Sequence, residues 1–156
     1  MSQTFHLRWA DLDPNGHVRH SVYADLAAQT RVAFLGEAGF GLADFARLGL
    51  GPILLREDVR YLKELHLADV VVVEARVSGL TPDGARWHLL HEFTRLRDGA
   101  VVAMIAVEGA WFDLRTRRVV APPPALADAM RAAPRTATYQ EIVRQSAGGS
   151  GTSLAV

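Results

Sequence analysis

The chain has 156 residues, of which 49% are apolar and 22% charged, proportions that support one domain with its own core and exclude a generally disordered chain. Seventeen basic residues balance seventeen acidic ones, so the field that would draw in a nucleic-acid backbone is missing and no nucleic-acid partner is expected. Cysteine is absent, which removes disulfides, thiolate nucleophiles and cysteine metal sites together.

The opening residues, MSQTFHLRWADLD, contain no basic segment followed by an apolar one, and no apolar run approaches bilayer thickness; the expectation is a cytoplasmic protein with no membrane partner. Residues 4–9 (TFHLRW) alternate polar with apolar, which predicts a short strand with Phe5, Leu7 and Trp9 on one face. Asp13-Pro14-Asn15-Gly16 stops it, since proline presets one turn angle and Asn-Gly tolerates positive φ. From His20 to Leu35 the spacing becomes three and four, with Val22, Leu26 and Ala33 beside Tyr23, Ala27, Thr30 and Phe34, which predicts a helix. Small residues at Ala24, Ala27, Ala28 and Ala33 predict that it packs closely on more than one side.

Gly36, Gly39 and Gly41 break this helix, and LADFARLG (42–49) reads as a shorter helical connector. After Pro52 the pattern turns to strand. Residues 53–62, 70–80, 85–96 and 100–114 are rich in β-branched and aromatic residues, with hairpin turns at Thr81-Pro82-Asp83-Gly84 and Arg97-Asp98-Gly99. Four successive long strands joined by tight turns predict an antiparallel sheet. Pro122-Pro123-Pro124 closes the strand region and ALADAMRAA (125–133) predicts a terminal helix, while residues 134–156, ending in GGSGTS, predict a frayed tail. The fold class is therefore α+β, with the domain spanning residues 1–133. One helix covers one face of such a sheet, so the other face and at least one edge call for a second subunit, and a homo-oligomer is expected.

The segment DLDPNGHVRHSVYADL, the helix ending TRVAFL, the strand VRYL and the closing WFDLRTRRVVAPPPAL resemble the 4-hydroxybenzoyl-CoA thioesterase group of hotdog-fold acyl-CoA thioesterases, over residues 4–130. The resemblance implies a hotdog fold, a long central helix wrapped by a curved antiparallel five-stranded sheet. It also implies pairing into dimers and often tetramers, with active sites at the subunit boundary. In enzymes of this kind the second acid of the D-x-D pair, here Asp13, carries the chemistry, and the residue matching the histidine at the helix entrance is His20. Coenzyme A then belongs to the substrate, and no separate cofactor is expected. Two departures from the group stand out: Trp9 stands where a tyrosine precedes the acid by four residues, and Lys63-Glu64-Leu65-His66 follows the Tyr-Leu pair where many members carry Pro-Ala.

This chemistry is consistent with the position of the motif. Thioester hydrolysis needs an attacking oxygen and a stabiliser for the oxyanion, and a helix N-terminus supplies unpaired N–H groups at a positive dipole end. The backbone N–H groups of His20 and Ser21 are the candidates. Asp13 serves either as general base on water or as nucleophile giving a mixed anhydride, and sequence leaves both routes open. His20 orients the water, bonds the carbonyl or assists the departing thiolate. Against this stand plainer readings: Asp13 as a turn cap, Asp11 as a structural or solvent-facing acid, His17 as a residue packed or bonded within its own turn, and His20 as an ordinary helix-start residue. A mechanism based on Asp25, the one acid inside the main helix and close to Gln29, is a minor alternative.

Other patterns carry less. His17/His20 and His88/His91 both have H-x-x-H form, but on a strand His88 and His91 face opposite ways, and no metal is expected. No G-x-S-x-G elbow is present, and the glycines at 36–41 follow a helix, the wrong context for a dinucleotide loop. Coenzyme A carries phosphates, for which Arg86, Arg95, Arg115, Arg117 and Arg118 are available, with no single contact residue assigned. Three functions follow: an acyl-CoA thioesterase, a hotdog module that binds an acyl-CoA or similar ligand without cleaving it, and a purely structural subunit.

Overall fold

The computed structural model describes residues 1–143. In chain order its elements are β1 (Ser2–His6), α1 (His20–Glu37), α2 (Leu42–Leu48), β2 (Leu50–Tyr61), β3 (Val70–Leu80), β4 (Arg86–Arg95), β5 (Ala100–Asp113), β6 (Arg118–Val119), α3 (Pro124–Ala132) and β7 (Arg135–Glu141). β3 and β4 alternate buried with half-buried side chains along almost their whole length, as a pleated strand with one face against a core requires. The buried set, including Val71, Val73 and Val77 of β3, Leu89 and Phe93 of β4 and Ile105 and Val107 of β5, meets Val22, Tyr23 and Ala27 of α1. Each such valine removed from water contributes about 1.5–3 kcal/mol.

The strands follow the order β1-β3-β4-β5-β2, all antiparallel, with β6 added on β5. A long helix packed on a curved antiparallel sheet is the hotdog arrangement that the resemblance implied. β3, β4 and β5 are successive hairpins, but β2 is not joined to β3 by a tight turn. Residues 62–69 form a loop, and β2 crosses to the far side of β5. That leaves β2 as the outer strand, which also explains why it accommodates Pro52 near its start.

Three further features have local causes. β1 stops at His6, and the chain turns through a 3-10 turn at Trp9–Asp11. Asp11 is buried, and its carboxylate accepts the Arg8 backbone N–H at 2.8 Å and the Arg8 guanidinium at 2.7 Å. The hydrogen bond from the Arg8 side chain holds the Asp11 carboxyl below the usual range. Leu7 and Phe5 stay against the core, whereas Trp9 is turned out and 81% exposed. Second, α1 keeps a narrow exposed stripe at Asp25, Gln29 and Val32, while Ala24, Ala27, Ala28 and Ala33 are buried or half-buried around the rest of it. Third, residues 135–141, expected within a frayed tail, form β7, which runs parallel to β3 beside Val77–Leu80. Gly79 permits the approach, since a Cβ there would meet the Gln140 carbonyl oxygen at 2.9 Å. The GGSGTS end of the expected tail lies outside the described residues.

Trp87 lies over its cross-strand partner Gly109, where a Cβ would fall among the indole ring atoms. Gly109→Ala is expected to lower stability by about 1–3 kcal/mol, the usual effect of overpacking, read from the urea midpoint. An unchanged midpoint would show that the ring has room to shift.

Candidate active site

The segment between β1 and α1 is a small hairpin. Leu12 and Val18 form an isolated antiparallel bridge, the Asp13 N–H donates to the His17 carbonyl at 2.8 Å, and the Gly16 N–H closes the turn on the Asp13 carbonyl at 3.0 Å. The Asp13 side chain takes part in this turn: Oδ1 accepts the N–H groups of Asn15 (2.8 Å) and His17 (3.1 Å). Oδ2 has no hydrogen-bond partner among the described residues. One oxygen of the carboxylate thus serves the turn, and the other is left unengaged by it.

A few residues on, α1 begins at His20 without a side-chain cap from Arg19, and the His20 and Ser21 N–H groups have no partner among the described residues. Helix mouths of this kind attract developing negative charge. Asp13, His17 and His20 line one cleft of about 780 Å³, together with Tyr61, Lys63, Glu64, His66, Arg95 and Arg97. Ser21 is exposed and does not line it.

The opposite wall comes from the end of β2 and the loop after it. The Val18 N–H donates to the Leu65 carbonyl at 2.9 Å, tying the turn to that loop, and the Tyr61 hydroxyl donates to the His20 carbonyl at 3.2 Å. Tyr23 meets Tyr61 edge to face, with ring centroids 5.3 Å apart. Burial first, with Tyr61 and the Asp69 charge nearby, pushes the Tyr23 phenol up to about 12, so it keeps its proton.

The arginines at the end of β4 are divided in role. Arg95 is committed to structure: Nε and Nη2 donate to Asp98 at 3.1 and 2.7 Å, and Nη1 donates to the Glu64 carbonyl at 2.9 Å. The Arg95 bonds to Asp98, with the Ala100 N–H, hold the Asp98 carboxyl at about 2. Arg97 gives Nε to Asp69 at 2.6 Å. Burial raises the Asp69 carboxyl, but the His66 N–H and Arg97 outweigh it and bring it below the usual range. Lys63 has no ion pair among the described residues.

Of the arginines considered for phosphate, Arg95 alone reaches the cleft. The turn bearing Arg115 and Arg117 follows Asp113, which pairs with Leu50 at the start of β2, whereas Tyr61 stands at its other end. Eleven strand residues separate them, about 35 Å of chain. Asp25 and Gln29 lie on the exposed side of α1, outside the cleft. His91 is buried and His88 only half-buried, on opposite faces of β4.

Five cleft residues escape the motif reading: Tyr61, Lys63, Glu64, His66 and Arg97. For Lys63, Glu64 and His66 the signal in the sequence is the dense run Lys63-Glu64-Leu65-His66 directly after a strand, which reads as a departure from a pattern until the fold sets it beside the Asp13 turn; Tyr61 and Arg97 sit in a strand end and a hairpin turn with no signal of their own.

A family model described as the thioesterase-like superfamily matches residues 7–130. The chain belongs to the thioesterase-like superfamily. This thioesterase-like chain is also 29% identical over 112 residues to a chloroplastic acyl-acyl carrier protein thioesterase of Arabidopsis thaliana, a match spanning 72% of this chain and 58% of that protein's length. Among solved structures, a hypothetical protein of Staphylococcus aureus in complex with CoA superposes with a TM-score of 0.78 at 22% identity, covering 99% of this chain and 94% of that one. A 1,4-dihydroxy-2-naphthoyl-CoA thioesterase from Synechocystis gives 0.76 at 14% identity, with 84% and 95% covered. These structural likenesses show the fold. Among the described residues no helix is long and apolar enough to cross a membrane.

Proposed function

We propose that the protein is an acyl-CoA thioesterase that cleaves a thioester to the free acid and coenzyme A. The observation that carries this reading is the division of the Asp13 carboxylate: Oδ1 is fixed by two N–H groups and Oδ2 is left free, in a cleft shared with the uncapped start of α1. In one route Asp13 takes a proton from water as the water oxygen adds to the acyl carbon. In the other, the carboxylate adds directly, the C–S bond breaks, and water hydrolyses the mixed anhydride. In both, the oxyanion draws on the N–H group of His20 at the uncapped start of α1, and the thiolate leaves and takes up a proton. His20 acts beside the reacting carbonyl. Lys63 and the free guanidinium nitrogens of Arg97 are placed to receive coenzyme A phosphates.

The reaction so written draws on no separate cofactor, and a cytoplasmic location belongs to the same reading. Placement in the 4-hydroxybenzoyl-CoA thioesterase group rests on the sequence resemblance. The test is a panel of acyl-CoAs followed by free-thiol release, to which a cysteine-free protein adds no signal. Release from several substrates supports the reading. Tight binding without release supports a ligand-holding module, which Trp9 favours, being exposed where the resembling group has tyrosine.

We further propose that the protein works as a homo-oligomer joined along β2. β1 and β7 occupy the outer edge of β3, whereas the outer edge of β2 is unpaired among the described residues. Leu54, Leu55, Tyr61 and Leu62 are all large and exposed on or beside it. Light scattering is expected to give a multiple of the 17.0 kDa chain, and Leu54→Asp with Leu55→Asp to shift the mass toward one chain. A wild-type monomer at assay concentration would remove this proposal.

A further inference from the structure

We propose that His17, Glu64 and His66 form a site for a divalent transition-metal ion on the wall of the cleft. His17 Nε2 lies 3.8 Å and His66 Nε2 3.9 Å from Glu64 Oε2, and one ligand atom from each residue lies within 4.8 Å of the other two. The two imidazoles meet edge to face with centroids 5.0 Å apart. Separations of 3.8–3.9 Å are too long for charge-assisted hydrogen bonds, which fall near 2.7–2.9 Å. They are close to what a bound ion imposes: metal–nitrogen bonds of about 2.0–2.1 Å in tetrahedral geometry hold ligand atoms about 3.3–3.4 Å apart.

Contraction onto an ion asks little of the protein. The backbone positions are fixed by the Val18–Leu65 hydrogen bond, by the His17 N–H on Asp13 Oδ1 and by the His66 N–H on Asp69 Oδ2 at 2.9 Å. The side chains remain 36%, 67% and 49% exposed for His17, Glu64 and His66, and so have room to close. Two imidazoles and one carboxylate are a ligand set that leaves coordination positions open to water or a carbonyl oxygen. Of the charges on this wall, Glu64 and Asp13 favour a cation and Arg95 and Arg97 are engaged by Asp98 and Asp69, which leaves Lys63 as the opposing charge without an ion pair among the described residues. The pairings His17/His20 and His88/His91, which led to an expectation of no metal, each stay within one segment, whereas this ligand set spans two.

The proposal makes no assumption about thioester hydrolysis, and its test needs no substrate. Untagged protein is titrated with Co²⁺ and followed by visible absorption, with Zn²⁺ displacement as the second readout. Saturable binding of one ion per chain is expected. Glu64→Gln and His66→Gln, each checked for a native circular dichroism spectrum, are expected to weaken it at least as much as the ~10–100-fold loss that follows removal of an outer-shell partner. His6→Gln, at an exposed position at the end of β1, is expected to leave it unchanged. Three results overturn the site: no saturable binding by the wild type, binding that both ligand variants retain, or equal weakening by His6→Gln.

Discussion

Replacing Asp13 by asparagine is expected to lower acyl-CoA hydrolysis by at least ~10²-fold, the usual contribution of a positioned proton-transfer group, while leaving the fold intact. The two halves of that result have separate causes. The carbonyl oxygen of the introduced amide takes the place of Oδ1 and accepts the N–H groups of Asn15 and His17, so the turn keeps both of its local hydrogen bonds. What disappears is the free, charged oxygen, and with it both the general-base and the nucleophilic route. Thiol release measures the first half, and circular dichroism with a urea midpoint measures the second. Wild-type turnover in Asp13→Asn would remove Asp13 from the chemistry. Single turnover of the wild type in ¹⁸O-labelled water then separates the routes, because a mixed anhydride can leave label in the Asp13 carboxylate and direct attack by water cannot.

A second large effect is expected from acid. His91 is fully buried, with Nδ1 3.2 Å from the Ile105 carbonyl and Nε2 3.3 Å from Arg31 Nη1. Arg31 has only protons to give, so Nε2 accepts and Nδ1 carries the proton donated to Ile105. Burial first, and the neighbouring Arg31 charge second, lower the His91 pKa from 6.5 to about 4. Between those values the unfolded chain binds a proton that the folded chain refuses. The stabilisation is therefore complete above pH 6.5 and lost as pH falls toward 4, in all about 3 kcal/mol. The lowered carboxyls Asp11, Asp69 and Asp98 act in the same direction but at lower pH, below their unfolded value of 3.8. Urea midpoints from pH 7.5 to 4.5 should show the decline, and His91→Gln, which can still donate to Ile105 and accept from Arg31, should flatten it. An equal slope in that variant would place the acid sensitivity elsewhere.

Local pattern made β3, β4 and β5 legible almost to the residue, because apolar alternation and hairpin turns are written within each segment. The pairing of β2 with β5 was not, since it depends on which distant strand offers a free edge. β7 was hidden by composition. Arg135–Glu141 is polar and mostly exposed, and becomes a strand through backbone bonding to β3 where Gly79 lets it approach. Trp9 leaves the expected alternation because Asp11 captures Arg8 and turns the chain there. At the cleft, Asp13 and His20 were legible because one short motif contains both. Tyr61, Glu64, His66 and Arg97 come from segments more than forty residues further along the chain, and only the fold brings them to the same cavity.

The tandem seating of β1 and β7 on one edge of β3 has a topological consequence. The Met1 carbonyl accepts the Ala75 N–H and the Pro134 carbonyl accepts the Val77 N–H, both at 2.8 Å, so positions separated by nearly the whole chain become neighbours. A circular permutant that splices these two points through a short linker and opens in an exposed hairpin would retain the ladder of β1 through β5. The architecture is specified by which backbones lie side by side more than by the order in which they are synthesised.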